Sequence, residues 1–421
     1  MKIFRIKHLL VAGLFFTLYN GCMEDPMSAD LNNANLHLDT LSISSINGVT
    51  YQIPPSIGSK SRLTLGNANG YDYRAILLKT SFTSAQNIQW SLASLLNSSV
   101  VIDSAYFTLH LELDTLINPV SISLYTFPNS GDSIFSETES NYLNFADNEM
   151  ANGHYVTSAM EEEYKFSEDS LINSIFRLRF NIRDMLDSAF LDTALNYTIM
   201  LKQDESTDEL HSYYSREYFS SNEFNPLFEV YYHEFTYPDS SDTSQITLVD
   251  TLRKTFNIVN DLSIMAPPEI SFEDTSYISI SRGKGLRSLI SLEFLDTLNL
   301  PRQTTFDKAE LTFYIVPDTN ISLFTVYAVP LMDTVEINHF SIYDDDSFKS
   351  YNYLITSGIV SNNKVVLNIK HFLQDHYFDN VNNLGLKIYS SINNNLHSTI
   401  HFYSADNDTL KPNLFIQYVA P

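Results

Sequence analysis

Apolar and polar residues alternate along most of this chain. In "AYFTLHLELD" (105–114) Phe107, Leu109, Leu111 and Leu113 fall on one side, and Thr108, His110 and Glu112 on the other. A period of two sends successive side chains to opposite faces of a strand, so one face is expected to be buried and the other wet. "ISLYTF" (122–127) is the next strand, after a break at Pro119. Runs of this kind recur, separated by clusters of Asn, Asp, Ser and Gly. The 26 Tyr and 28 Phe suit a pleated, half-buried surface. Three stretches depart from the pattern. Ile88, Leu92, Leu95 and Leu96 stand near helical spacing and predict a short helix or turn around Trp90, whose place beside Ile88 and Leu92 predicts burial. Residues 129–173 show no clean period and read as a long loop carrying one strand. "RDMLDSAF" (183–190) and "KHFLQDHYF" (370–378) each predict one helical turn after a strand.

The pattern is written twice. "SRLTLGNANGYDYRAILLKTSF" (61–82) matches "SYISISRGKGLRSLISLEF" (276–294): an alternating strand, a Gly-containing turn, an arginine (Arg74, Arg287) and an apolar strand. "VIDSAYFTLHLELD" matches "TFDKAELTFYIVPD" (305–318), and "ISLYTFP" matches "FTVYAVP" (324–330). "FRLRFNIRDMLDSAF" matches "KVVLNIKHFLQDHYF", sharing Asn-Ile at 181–182 and 368–369. "NYTIMLK" (196–202) matches "NLGLKIYS" (383–390), and "YYSREYFSSNEFNPLFEVYY" (213–232) matches "FYSADNDTLKPNLFIQYV" (402–419). Six blocks recur in one order, at offsets drifting from about 213 to about 186. The expectation is an all-β chain of two tandem jelly-roll β-sandwich domains with short helical turns. Copy one spans 41–236, the polar linker "YPDSSDTSQ" 237–245, and copy two 246–421.

This order of strand signatures resembles the DNRLRE-type domain, a jelly-roll sandwich related to carbohydrate-binding modules. The residues that carry the likeness are Arg74 and Arg287, Ser104-Ala105 and Lys308-Ala309, the two Asn-Ile pairs, and the closing Ser215…Pro226…Tyr231 and Ser404…Pro412…Tyr418. It covers most of 41–421. The resemblance implies a binding or spacing unit on a secreted or surface protein, with no catalytic residue. The recurring arginine reads physically as a structural charge, bonded to strand-end carbonyls or a carboxylate.

Composition adds a compartment. Met1, Lys2, Arg5 and Lys7 precede an apolar run, Leu9–Leu18, of ten residues. That suits a secretory signal and falls short of the roughly 20 residues of a spanning helix. Gly21 then precedes Cys22, the sole cysteine. The stretch resembles a bacterial lipoprotein signal: residues 1–21 are removed, Cys22 carries the lipid, and 22–40 form a tether. Each buried methylene contributes about 0.8 kcal/mol, so two or more acyl chains anchor stably without a transmembrane segment. The expected partner is a membrane reached through this lipid, at the cell outer membrane or cell surface. The net charge is −25, from 25 basic and 50 acidic residues, which argues against nucleic acid and anionic headgroups as partners.

Candidate chemistry is sparse. There is no Gly-x-Ser-x-Gly string, the 11 histidines are scattered, and "SRGKGLRS" (281–288) lacks the helix a phosphate loop needs and reads as a basic surface turn. No cofactor is expected. Ca²⁺ has weak candidates in Asp344, Asp345 and Asp346, which lack the spaced ligand loop. For a ligand, Tyr71 and Tyr73 flank a turn before Arg74 and are expected to be exposed; with Arg74 and Arg287 they form the candidate binding set. The sequence therefore predicts a non-enzymatic, lipid-anchored protein binding extracellular polysaccharide. A structural or adhesion protein with protein partners is the alternative, and a glycoside-acting hydrolase a more distant one.

Overall fold

A computed structural model describes residues 37–81, 100–111, 121–126, 135–145, 153–164, 175–186, 196–218, 224–236, 247–270, 277–300, 304–317, 323–333 and 340–420, less 45, 56, 59, 206–207, 249–250 and 408. Cys22, residues 22–36 of the expected tether and Trp90 lie outside these residues, and the tether's last four residues, 37–40, are strand instead. The fold is an all-β sandwich architecture, with one α-helix among the described residues.

Two sandwiches are present. In the first, Val100–Leu111, Leu227–Thr236 and Ile175–Asn181 form one layer, and Tyr71–Ser81, Asn196–Gln203 and Ile122–Thr126 the other. Phe107, Leu109, Phe180, Phe228, Leu78 and Leu201 meet between them. In the second, Thr305–Tyr314, Asn413–Ala420 and Lys364–Asn368 face Leu286–Ile290, Leu386–Ser390 and Thr325–Pro330. Phe313, Leu311, Val326, Ile388 and Leu414 fill that interior. The matched sequence blocks thus occupy matching strands.

The sheets do not follow the linear division at 237–245. His37–Ile43 pairs antiparallel with Asn413–Ala420, and Gly48–Gln52 with Leu286–Ile290, so the opening segment completes the second sandwich. Leu252–Ala266 completes the first: Leu252–Asn257 pairs with Leu227–Tyr232, and the rest with Tyr71–Ser81. Each copy has given its first strand to the other. Register shifts at Ile258/Asn260 and Ile264/Met265 let one 15-residue strand pass from one layer to the other, the bend a bulge supplies. The boundaries 41–236 and 246–421 are corrected accordingly: the first sandwich runs from 62 to 266 and the second combines 37–52 with 277–420.

A second departure is burial on both faces. Tyr71, Tyr73, Ala75 and Leu77 point away from the first interior, yet they are buried beneath Ile57, Phe135 and Phe145, with Leu396 of the second sandwich packed against them. This layer is the seam between the sandwiches. Tight turns set it up. Asn69 and Gly70, both at positive φ (52° and 81°), close the two-residue hairpin before Tyr71. Gly285, at φ 66°, ends the turn of the matching hairpin; a Cβ there would stand 1.8 Å from the carbonyl oxygen of Ile53. The chain leaving the exchanged strand presses on that turn, with Ile53 N donating to Gly285 O at 3.0 Å.

The less regular segments follow expectation in part. The described part of 129–173 carries two strands, His154–Ser158 and Met160–Tyr164. Arg183–Met185 is a single 3₁₀ turn, whereas Lys370–Tyr377 is an eight-residue α-helix. The longer helix buries Phe372 and Leu373, and its Gln374 accepts a hydrogen bond from Phe306 N at 3.0 Å.

The supposed wet face of Val100–Leu111 is covered too. Thr108 donates to Glu229 at 3.1 Å, and His110 Nδ1 lies 3.2 Å from the Phe224 carbonyl oxygen. Burial pushes the His110 imidazole down from 6.5 to about 4. Because the folded value is depressed, this contribution to stability is complete above pH 6.5 and is lost as pH falls from there toward 4. Between pH 7 and 5 the loss is about 2 kcal/mol. Urea melts at the two pH values should show that decrement in the natural chain and a smaller one in His110→Gln; equal decrements would remove His110 as its source.

Candidate functional site

The residues expected to bind ligand are not gathered in one place. Tyr71 and Tyr73 are 2% and 4% exposed. They sit in the seam, with the His397 ring edge-on to Tyr71 at 4.6 Å. Burial pushes both phenols up, Tyr71 to about 12. The expectation of an exposed tyrosine platform is overturned: a strand whose outer face is roofed by another sandwich has no wet side. Arg74 pairs with Asp72 at 2.8 Å. Arg287 pairs with Asp346 and lies over the Tyr389 ring at 5.5 Å.

Asp346 is likewise unsuited to Ca²⁺. Its carboxylate accepts from Arg287, from Lys387 at 2.9 Å and from Tyr51 Oη at 3.2 Å. Two cations already neutralise it, while Asp344 and Asp345 face solvent. Tyr51 belongs to the exchanged strand Gly48–Gln52, so this cluster ties that strand to Leu286–Ile290 and, beyond it, to Leu386–Ser390.

The seam instead builds a cleft of about 340 Å³, lined by Pro54, Pro55, Arg282, Arg287, Tyr389 and Ile392 among others. Its basic turn, expected at the surface, is half-buried because Gly283 and Gly285 let the backbone press against the first sandwich and the crossing chain. Arg282 Nη1 and Lys60 Nζ both donate to the Ile392 carbonyl oxygen. Among the described residues no carboxylate pairs with either cation. Burial lowers both, Arg282 to about 10 and Lys60, which also feels Arg282, to about 8. Two partly desolvated cations sharing one neutral acceptor make a local positive site on a strongly acidic protein. Tyr389 supplies an aromatic face beside it, paired with Tyr327 at 5.7 Å. Sequence reasoning named Arg287 but missed Lys60 and Arg282, because the exchanged topology is what brings them together.

A second cleft, about 430 Å³, runs beside the helix and includes Tyr353, 70% exposed, with His371 and Asp375. Two catalyst-like contacts lie elsewhere. Ser279 Oγ is 2.7 Å from His401 Nδ1, but Ser279 is 1% exposed and borders neither cleft. Asp103, His233 and Thr251 form a carboxylate–imidazole–hydroxyl chain, with Thr251 Oγ1 3.1 Å from His233 Nε2. That chain borders neither cleft. No protein-family model matches this chain, and no curated protein matches it.

Proposed function

We propose that this is a non-catalytic binding protein, held at the cell outer membrane or cell surface by lipid on Cys22, whose seam cleft takes a charged sugar of an extracellular polysaccharide. One observation carries this reading: Lys60 and Arg282 converge on the carbonyl of Ile392, with no carboxylate paired to either among the described residues, and Arg282 and Ile392 line an open cleft with Tyr389. A carboxylate or sulfate on the sugar would complete the pair, and the tyrosine would pack against the ring. The overall charge of −25 opposes a dense polyanion, so the fitting ligand carries isolated acidic groups on a mostly neutral backbone. At physiological salt, charges beyond about 8 Å are screened, and the contacting cations prevail.

Affinity electrophoresis through gels containing glucuronoxylan, carboxyl-reduced glucuronoxylan or neutral xylan tests this. Retardation by the first alone is expected, with Arg282→Gln and Lys60→Gln each weakening it about tenfold; Cys22→Ser should move the chain from the membrane to the soluble fraction. Equal retardation by the neutral polymers would move the site to the Tyr353 cleft. Retention by none would favour the structural reading, which the strand exchange supports because it welds two modules into one spacer.

A further inference from the structure

Three acids from distant parts of the sequence converge beside the exchanged strand. Glu137, Glu217 and Asp261 each place a carboxylate oxygen within 4.8 Å of the others. Glu137 lies in the loop that roofs the seam, Glu217 follows the strand Leu210–Tyr214, and Asp261 stands just past the bulge of Leu252–Ala266. The group is buried: Glu137 is 6% exposed and Asp261 1%.

One oxygen of the group has no donor among the described residues. Arg216 donates from Nε to Glu217, from its backbone N to Asp261 Oδ2 at 2.8 Å and from Nη1 to the Val259 carbonyl; its Nη2 lies 3.6 Å from Glu137. Asn260 donates to Glu137 at 3.0 Å, and Ser215 to Glu217 at 3.2 Å. Asp261 Oδ1, in contrast, accepts nothing from the described residues. An ionised carboxylate oxygen this deep is costly without a partner.

We propose that Glu137, Glu217 and Asp261 bind a divalent cation, Ca²⁺, which fastens the exchanged strand to the first sandwich. The donors are all oxygen, which selects hard cations, and their irregular arrangement on three loops and strands suits the flexible coordination of Ca²⁺ better than the octahedron of Mg²⁺. The second sandwich supplies an internal contrast. By register Asn47 stands where Asp261 does, its carbonyl accepting from Ser291 N at 2.8 Å, and Ala405 stands in place of Arg216. The charged cluster belongs to one copy alone.

Calorimetric titration of the EDTA-treated full chain with CaCl₂ tests the proposal. One site is expected, with dissociation constant on the order of 10⁻⁴ M and a melting temperature raised by several degrees. Asp261→Asn should abolish the heat and the shift, and Glu217→Gln, at a less buried position, should weaken binding at least tenfold. The proposal is overturned if the natural chain shows neither heat nor shift at 10 mM CaCl₂, about ten times the dissociation constant of the weakest extracellular Ca²⁺ sites. It is overturned equally if both variants bind as the natural chain does. Should Asp261→Asn fail to fold, the Glu217→Gln result decides.

Discussion

Removing residues 37–52 is expected to unfold the second sandwich while leaving the first folded. The segment contributes Ile46 and Tyr51, 0% and 1% exposed, and packs Leu41, Ile43 and Val49 against the same cores. It also pairs with three strands: His37–Ile43 with Asn413–Ala420, and Gly48–Gln52 with Leu286–Ile290 and with Ser341–Ile342. A buried side chain of this size contributes about 1.5–3 kcal/mol, so the loss is on the order of 10 kcal/mol, comparable to the whole stability of a domain. Leu252–Ala266 cannot take the vacant place without emptying its own. Hydrogen exchange should show amides of 286–290 and 413–420 losing protection, while those of 71–81 keep it. A synthetic peptide of residues 37–52 added in trans should restore protection by strand addition. Undiminished protection of 413–420 in the deletion would contradict the exchange.

The second large effect is expected at Asp346. Its carboxylate holds Lys387, whose side chain is 8% exposed, and Arg287, 29% exposed. Asp346→Ala leaves both cations without their carboxylate, with Lys387 keeping only the Phe348 carbonyl at 3.0 Å. Breaking a buried pair from one side costs about 3 kcal/mol or more, because the remaining charge stays desolvated. Burial already pushes the Lys387 amine down, against the upward pull of Asp346, so removing the acid lowers it further. Chemical denaturation of Asp346→Ala should show that loss, and adding Lys387→Met should recover part of it. A loss below about 0.5 kcal/mol, typical of a surface substitution, would show that the cluster is not structural.

Alternation alone made the strands legible, and the repeated blocks gave the correspondence between the sandwiches. What alternation cannot give is a partner. Residues 38–55 end in Pro54-Pro55 and residues 250–268 in Pro267-Pro268, and both offer apolar positions at matching intervals. Either segment suits either slot by pattern, so only packing decides between them. The seam had a readable trace that alternation hid. Ala75-Ile76-Leu77-Leu78 is a continuous apolar run, the mark of a strand covered on both faces. Tyr71 and Tyr73 share its outer face and are covered with it. The cation pair and the acid triad left no trace, since Lys60 with Arg282 and Glu137 with Asp261 are far apart in sequence and meet only after the exchange.

The pairing of His37 with Ala420 also fixes an order of events. These strands are the earliest and latest described parts of the chain to leave the ribosome, and the second sandwich cannot close until both exist. Until then its edge strands stay open, and ring closure over nearly the whole length makes the final step slow. Maturation of that half is therefore expected to follow synthesis, in one late event.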